Sequence, residues 1–227
     1  MNTEIVAITQ PLVKTEDGSR WLSANEFVAY TARISNPGNQ LNTETAPKLI
    51  KYLAKNKHWS PFQMVSLAIR ITTTRDISHQ IIRHWSFDDA GNANIQEFSQ
   101  RYAPVENFET RECRLQDSKN RQNSTETDDL ELKLWWESEQ GQIIYHAREI
   151  YNLALTKGIA KEQARAVLPE GLTQTTFFMA GTLRAWIHYL QARCAEGVQK
   201  EHRQIANKCK ELVLEHFPDI KLLFESE

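Results

Sequence analysis

Residues that could bind an anion are concentrated in two parts of the chain, residues 83–102 and residues 163–193. Both parts combine arginines with hydroxyl, carboxylate or imidazole side chains. A guanidinium group offers paired donors to phosphate oxygens. The pattern therefore favours a small anionic ligand that also has hydrogen-bonding edges, such as a nucleotide. The candidate residues are Arg83, His84, Glu97, Ser99, Arg101, Arg165 and Arg193.

Each candidate also has a simpler structural explanation, and the residues alone leave both explanations open. Arg83 and His84 would suit the C-terminal end of a helix, where cations are favoured by the helix dipole. An alternating segment at residues 97–103 reads as a strand whose charged face meets solvent, a subunit interface or a ligand. Cys194 follows an arginine and could be a reactive thiolate, although a small packed side chain is the favoured interpretation.

Composition excludes several broad classes of function. The 227 residues carry a net charge of −2, so no general field draws the protein to nucleic acid or to an anionic membrane. Three cysteines without paired spacing and no secretory signal predict a cytoplasmic protein. The seven histidines are scattered, so we predict no metal site. No glycine motif for a dinucleotide or a triphosphate is present.

Local patterns predict an α/β or α+β fold, with a central sheet flanked by helices, in a single domain covering residues 1–227. A polar segment at residues 104–129 interrupts the regular elements and is expected to be a long, partly flexible excursion. The predicted strands are residues 4–9, 62–72, 97–103 and 172–179. A loop is predicted at residues 87–94. The predicted helices are residues 24–34, 43–57, 74–85, 130–157, 160–167, 182–192 and 198–215.

Several short motifs occur in an order that resembles the flavin-dependent thymidylate synthases. The central motif places Arg83-His84 before Gln96-Glu97-Phe98-Ser99-Gln100-Arg101-Tyr102. An earlier His58-x-Ser60-Pro61-Phe62 and the helix motif Ser78-His79-Gln80 precede it. Two motifs follow it: Ala164-Arg165-x-x-Leu168-Pro169, and a closing Leu190-x-x-Arg193 with Gln199 and Glu201. The resemblance covers most of the chain, and the ordered set is far more specific than any one motif.

The resemblance implies a methyltransferase that converts dUMP to dTMP. Methylenetetrahydrofolate would supply the carbon, and FAD reduced by NADPH would supply the hydride. It also implies a homotetramer with a mixed α/β core built on a mixed central sheet, in which each active site is shared between subunits. Small molecules, rather than nucleic acid or a membrane, would be the binding partners.

Matched motif by motif, the resemblance assigns roles to individual residues. Arg193 would contact the pyrimidine and stabilise its electron-rich form, which makes it the catalytic candidate. His188 stands where the family often has an asparagine near the flavin. The residues matched to dUMP binding are Gln80, Glu97, Ser99, Arg101, Arg165 and Arg193. Those matched to FAD binding are His58, Ser60, Arg83, His84, Trp85 and His188.

The flavin-binding loop departs from the family pattern. In the family the Arg-His pair is followed by a second arginine, whose place is taken here by Trp85, and thirteen residues then precede Ser99. Residues 88–93 are the simplest insertion that explains the added length. Loss of one charged contact to the flavin phosphates would cost about 1.5–3 kcal/mol, unless Trp85 stacks on a ring instead. Two alternatives therefore stay open: a related pyrimidine-nucleotide enzyme with altered flavin use, and a nucleotide-binding protein without catalysis.

Overall fold

A computed structural model describes residues 1–85 and 94–225 of the chain. The predicted loop at residues 87–94 and the predicted insertion at residues 88–93 lie outside the described residues, except for Asn94. The strands are β1 Asn2–Ile8, β2 Ser66–Thr74, β3 Asn94–Glu97, β4 Arg114–Gln116, β5 Ser124–Glu126 and β6 Gln174–Thr182. The helices are α1 Ala24–Ala32, α2 Ala46–Lys55, α3 Arg75–Trp85, α4 Leu130–Thr156, α5 Lys161–Ala164, α6 Leu183–Arg193 and α7 Lys200–His216.

The central feature is a four-stranded sheet in the order β1-β2-β6-β3. All its strand pairings are antiparallel, so the α+β class is confirmed, whereas the mixed sheet implied by the family resemblance is corrected to an antiparallel one. Along β2, Leu67, Ile69 and Ile71 are buried while Arg70 is exposed, as the alternating pattern predicted.

Helices pack on the buried face of this sheet and enclose one main core. Trp186 of α6 is fully buried, and its indole Nε1 donates a hydrogen bond to the carbonyl of Leu67 at 3.3 Å. Helices α3 and α7 complete the packing around α6. Within the described residues, no helix is long and apolar enough to span a bilayer.

Local hydrogen bonds explain where α1 begins. The Ser23 side chain accepts from the Glu26 backbone N–H at 3.1 Å, and the Glu26 carboxylate accepts from the Ser23 N–H at 2.8 Å. This reciprocal capping box satisfies two donors that the first turn leaves open. The predicted start of this helix at residue 24 is therefore confirmed.

The predicted strand at residues 97–103 is wrong. Strand β3 ends at Glu97, and the chain then turns so that the N–H groups of Tyr102 and Ala103 both donate to the Ser99 carbonyl. The alternation of charged and apolar residues continues past the strand, but a turn breaks the period on which the prediction depended. Glu97, Ser99 and Arg101 consequently do not share one strand face.

The polar excursion at residues 104–129 carries a small hairpin, β4–β5, and is attached to the rest of the chain by polar contacts. Gln140 of α4 is buried, accepts from the Arg111 N–H at 2.6 Å and donates to the Arg111 carbonyl at 3.0 Å. Val105 enters a second, smaller core with Tyr151 and Ala164. The flexibility of this excursion and its membership of one domain with the rest of the chain stay predictions.

Candidate active site

Glu97 lies at the end of β3, and hydrogen bonds from two elements hold its carboxylate. Oε1 accepts from Ser78 Oγ at 2.6 Å and from Thr175 Oγ1 at 2.9 Å. Arg75, the first residue of α3, approaches the same oxygen at 3.8 Å. All these contacts use Oε1, so Oε2 keeps capacity to accept a hydrogen bond from a ligand hydroxyl.

The predicted phosphate-binding residues Arg101 and Arg165 meet around one residue, Glu162. Arg101 Nε lies 3.3 Å from the Glu162 carboxylate, and Arg165 Nε donates to the Glu162 carbonyl at 3.3 Å. The Ser99 hydroxyl accepts weakly from the Arg101 N–H at 3.4 Å. The Arg101 side chain is 61% exposed, so a bound anion could compete with Glu162 for its guanidinium group.

Arg193 lies at the C-terminal end of α6 and donates from Nη2 to His84 Nδ1 at 2.9 Å. A guanidinium group only donates, so Nδ1 must be the unprotonated nitrogen and a neutral His84 carries its proton on Nε2. Burial, together with the charges of Arg193 and Arg83, lowers the pKa of His84. Burial also lowers the pKa of Arg193, whose buried Nε has no hydrogen-bond partner among the described residues.

Behind this pair lies His202, which is almost completely buried. Its Nε2 lies 3.1 Å from the Tyr189 hydroxyl, and its ring centroid lies 6.0 Å from that of His84. Burial, reinforced by the nearby charges of Arg193 and His84, lowers the pKa of His202 to about 3. His202 is therefore neutral at physiological pH and adds no further positive charge beside Arg193.

Gln80 occupies another part of α3, where its Nε2 donates to Gln199 Oε1 at 2.6 Å. Gln199 in turn donates to the carboxylate of Glu201 at 3.0 Å. Two arginines from the polar excursion, Arg111 and Arg114, approach the same carboxylate.

Two of the predicted flavin-binding histidines pack against aromatic rings. His188 of α6 lies edge-on to Trp59, with ring centroids 5.1 Å apart, and His58 lies edge-on to Tyr52 at 5.9 Å. Ser60 begins the short 3-10 turn that follows Trp59. Arg83 is exposed in the last turn of α3. The side chain of Trp85 lies outside the described residues, so its role stays a prediction.

These donors suit a cofactor rich in hydrogen-bond acceptors. Arg184, which lies one turn before His188 on α6, has a buried Nε without a hydrogen-bond partner among the described residues. A buried donor in this state is costly unless a ligand or water satisfies it. The arginine and histidine side chains of α3 and α6 therefore fit the phosphates and ring edges of FAD.

The chain does not gather all the predicted dUMP-binding residues into one contact group. Arg75 at the start of α3 approaches Glu97, whereas Arg193 contacts His84 near the end of the same helix. Arg75 and His84 are nine positions apart on this helix, which corresponds to about 13.5 Å along the axis. Arg101 and Arg165 form a further group around Glu162.

Sequence reasoning missed several residues that these contacts bring in. Arg75, Arg111 and Arg114 had no motif to mark them, because their carboxylate partners lie far away in the sequence. Gln199 and Glu201 belonged to a recognised motif, but nothing in the sequence linked them to Gln80. No group of His, Cys, Asp or Glu among the described residues is arranged to hold a metal ion.

Comparison with known proteins places this chain in a family. The family model described as "Thymidylate synthase complementing protein" matches residues 19–219. A probable flavin-dependent thymidylate synthase of Paramecium bursaria Chlorella virus 1 is 44% identical over 221 residues, which cover 97% of each chain. The flavin-dependent thymidylate synthase of Synechocystis sp. is 41% identical over 225 residues, 99% of this chain and 100% of that protein.

A solved structure agrees with the fold. The structure of PolB, a UMP/dUMP methylase from Streptomyces cacaoi with bound 5-Br dUMP, superposes with a TM-score of 0.79 over 98% of this chain and 93% of that chain. Its sequence identity is 22%, so it supports the fold alone. The near-complete coverage of the two closer relatives and the match to the family model lead to one conclusion. The chain belongs to the flavin-dependent thymidylate synthase family.

Proposed function

We propose that this protein catalyses the reductive methylation of dUMP to dTMP, with methylenetetrahydrofolate as carbon donor and with FAD that is reduced by NADPH. The observation that carries the proposal is the alignment over nearly the whole chain with flavin-dependent thymidylate synthases. The arginine groups described above supply the charge that a nucleotide monophosphate requires. When bound, FAD supplies the hydride chemistry, and the protein binds and orients it.

Ser99, Arg101 and Arg165 bind the phosphate of dUMP in this proposal. The exposed Arg101 exchanges its contact with Glu162 for the phosphate, which accepts stronger, bidentate hydrogen bonds from guanidinium groups. Glu97 offers Oε2, which accepts no hydrogen bond from the described residues, to the 3′-hydroxyl of the deoxyribose. Its own position is held by Ser78 and Thr175, so the carboxylate is oriented before the nucleotide binds.

Arg193 acts on the pyrimidine. In this proposal its guanidinium group contacts the pyrimidine on which negative charge develops, and a fixed cation stabilises charge where it forms. His84 accepts one Arg193 N–H and so limits the directions in which the remaining donors can point. On the flavin side, His58, Ser60, Arg83, His84 and His188 would hold the cofactor.

The active site is, in this proposal, shared between subunits of a homotetramer. Among the described residues, Arg193 contacts His84 whereas Arg101 and Arg165 contact Glu162, and this division into two contact groups supports the arrangement. Helix α4 also exposes an extensive apolar surface, which is typical of subunit interfaces. The exposed apolar residues of this helix are Leu130, Leu134, Trp135, Ile143, Tyr145, Ile150 and Leu153.

Hybrid oligomers test the shared site. Arg101→Ala and Arg193→Ala are each expected to lower kcat/KM about 10- to 100-fold, but co-expression of the two chains should restore part of the activity. Random assortment would give about one quarter of the sites both native arginines in a symmetric assembly. Hybrids as inactive as the single variants would show that one chain supplies both residues. Light scattering on the same samples measures the oligomeric state.

An anaerobic assay tests the reaction itself. Tritium release from the C5 position of labelled dUMP is expected when FAD, NADPH and methylenetetrahydrofolate are all present. Release from UMP but not from dUMP would favour the related pyrimidine-nucleotide enzyme. A colourless purified protein that binds dUMP without tritium release would favour a nucleotide-binding protein without catalysis.

The proposed reaction on small molecules and the free cysteines favour one cellular location. We propose a cytoplasmic enzyme that acts on small molecules and binds neither nucleic acid nor membranes. The free cysteines Cys113, Cys194 and Cys209 suit a reducing compartment. Fractionation of cells that express a tagged full-length chain would test this location directly.

A further inference from the structure

A continuous line of hydrogen bonds leads from Gln80 to a buried carboxylate. Gln80 Nε2 donates to Gln199 Oε1 at 2.6 Å, and Gln199 Nε2 donates to Glu201 Oε2 at 3.0 Å. The other oxygen of Glu201 accepts from Arg114 Nη2. Four side chains from α3, from the residue before α7, from α7 itself and from β4 are thus joined into one network.

The direction of every hydrogen bond in this network follows from its buried end. An ionised carboxylate can only accept, so Gln199 must turn its NH₂ group toward Glu201. The Gln199 carbonyl oxygen then faces Gln80, so Gln80 must donate a hydrogen bond to it from its own NH₂ group. Gln80 is left with a carbonyl oxygen and one N–H to offer a ligand, in a single amide orientation.

Glu201 is well suited to impose this direction. Its side chain is only 6% exposed, and Arg114 and Arg111 lie within ion-pair distance of it. Burial opposes ionisation of the carboxyl, but the hydrogen bonds from Arg114 and Gln199 outweigh it and lower the pKa of Glu201 below its usual value. The carboxylate therefore stays charged, and an accepting group always terminates the network.

We propose that Glu201 is a positioning residue for dUMP, which acts through Gln199 to hold the Gln80 amide in the orientation that the nucleotide requires. The inference rests on the proposed function, because Gln80 is a dUMP-binding residue only by the family resemblance that underlies that function. It adds that a residue without contact to the nucleotide determines how Gln80 meets it. Arg114 enters the same assignment as the group that keeps Glu201 ionised.

Two single variants and their combination test the relay. Glu201→Gln places an amide that can turn either way at the end of the network, and Gln199→Met removes the connecting link. Each is expected to raise the KM for dUMP about three- to tenfold, because one oriented hydrogen bond to the nucleotide is lost. The kcat at saturating dUMP should change much less. A purely structural defect would instead reduce the active fraction, and with it kcat.

The double variant separates a relay from two independent effects. If Glu201 acts through Gln199, then Glu201→Gln should add nothing to the KM of Gln199→Met. Lys200→Met is the matched control, because Lys200 binds Glu112 and Glu126 of the same excursion without entering the relay. Its KM for dUMP should equal that of the wild-type protein.

Three results would overturn the relay: multiplication of the two KM effects in the double variant, an unchanged KM in Gln199→Met, or an equal KM increase in Lys200→Met. Calorimetric titration of each holoenzyme with dUMP gives the same comparison without turnover. Failure of the wild-type protein to bind dUMP would refute the proposed function and the relay together. Normal wild-type binding with unchanged variants would refute the relay alone.

Discussion

Replacing His202 with glutamine should reduce the loss of folding free energy that occurs when the pH is lowered. His202 is 1% exposed, and burial and the neighbouring charges lower its pKa from 6.5 to about 3. Below pH 6.5 this histidine is protonated in the unfolded chain but stays neutral in the folded chain. Folding stability is therefore complete above pH 6.5 and falls as the pH drops toward 3.

The size of this effect follows from the two pKa values. Each pH unit between them changes the free energy of unfolding by about 1.4 kcal/mol once protonation of the unfolded state is complete. Between pH 6.5 and pH 4.5 the contribution of His202 is about 2 kcal/mol, since protonation is only half complete at the upper limit. In the glutamine variant this contribution is absent, whereas the Tyr189 hydroxyl can still find a hydrogen-bond partner in the new amide.

Urea denaturation at fixed protein concentration, from pH 7.5 to pH 4.5, measures the difference. Over this wider range the wild-type free energy of unfolding should fall by about 2.7 kcal/mol more than that of His202→Gln. His146→Gln, an exposed substitution on α4, is the matched control and should follow the wild-type curve. Parallel curves for wild type and His202→Gln would refute the reasoning, because the buried imidazole would then titrate alike in the folded and unfolded states.

Further predictions concern the helix cap, the catalytic arginine and the flavin loop. Ser23→Ala should lose about 1 kcal/mol of stability and a few degrees of Tm by calorimetry, while the exposed Ser118→Ala should lose almost none. Arg193→Ala should lower kcat/KM for dTMP formation about 10- to 100-fold, the loss of one charged hydrogen bond, and an unchanged rate would exclude its assigned role. Trp85→Arg combined with deletion of residues 88–93 should tighten FAD binding about tenfold or more by fluorescence titration; an unchanged Kd would show that this loop does not contact the flavin.

The elements that the sequence predicted well are those with short-range causes. The Ser23 capping box needs only four consecutive residues. The alternation along β2 and the helical period of α3 are likewise local, and both elements are present. Helix α3 begins one residue later than predicted, whereas β2 begins four residues later, at Ser66, because a 3-10 turn at Ser60–Gln63 precedes it. The prediction of a strand at residues 97–103 was wrong because its cause is not local. The turn after Glu97 is held by contacts with β6 and by its own hydrogen bonds.

For the candidate site too, the local features could be predicted and the long-range contacts could not. The residue types and their order identified the family and most of the candidate residues before any contact was known. Which of them meet was decided by tertiary structure: Arg193 and His84 are 109 positions apart, and Gln80 and Gln199 are 119 apart. An arginine can pair with any nearby carboxylate, and only the packing of α3, α6 and α7 on the sheet selects its partner.

The sequence by itself therefore indicated the family, and with it a kind of ligand, and it placed the candidate binding residues on helices and strands. It could do so because residue chemistry and the periodicity of apolar residues are local properties. The folded structure alone decided that Glu201 is buried beneath Gln199 and that Arg114 neutralises it. It also decided that His202 lies beside His84 and is almost completely buried. Burial and long-range pairing set pKa values and hydrogen-bond directions, and neither can be read from residues that are distant in the chain.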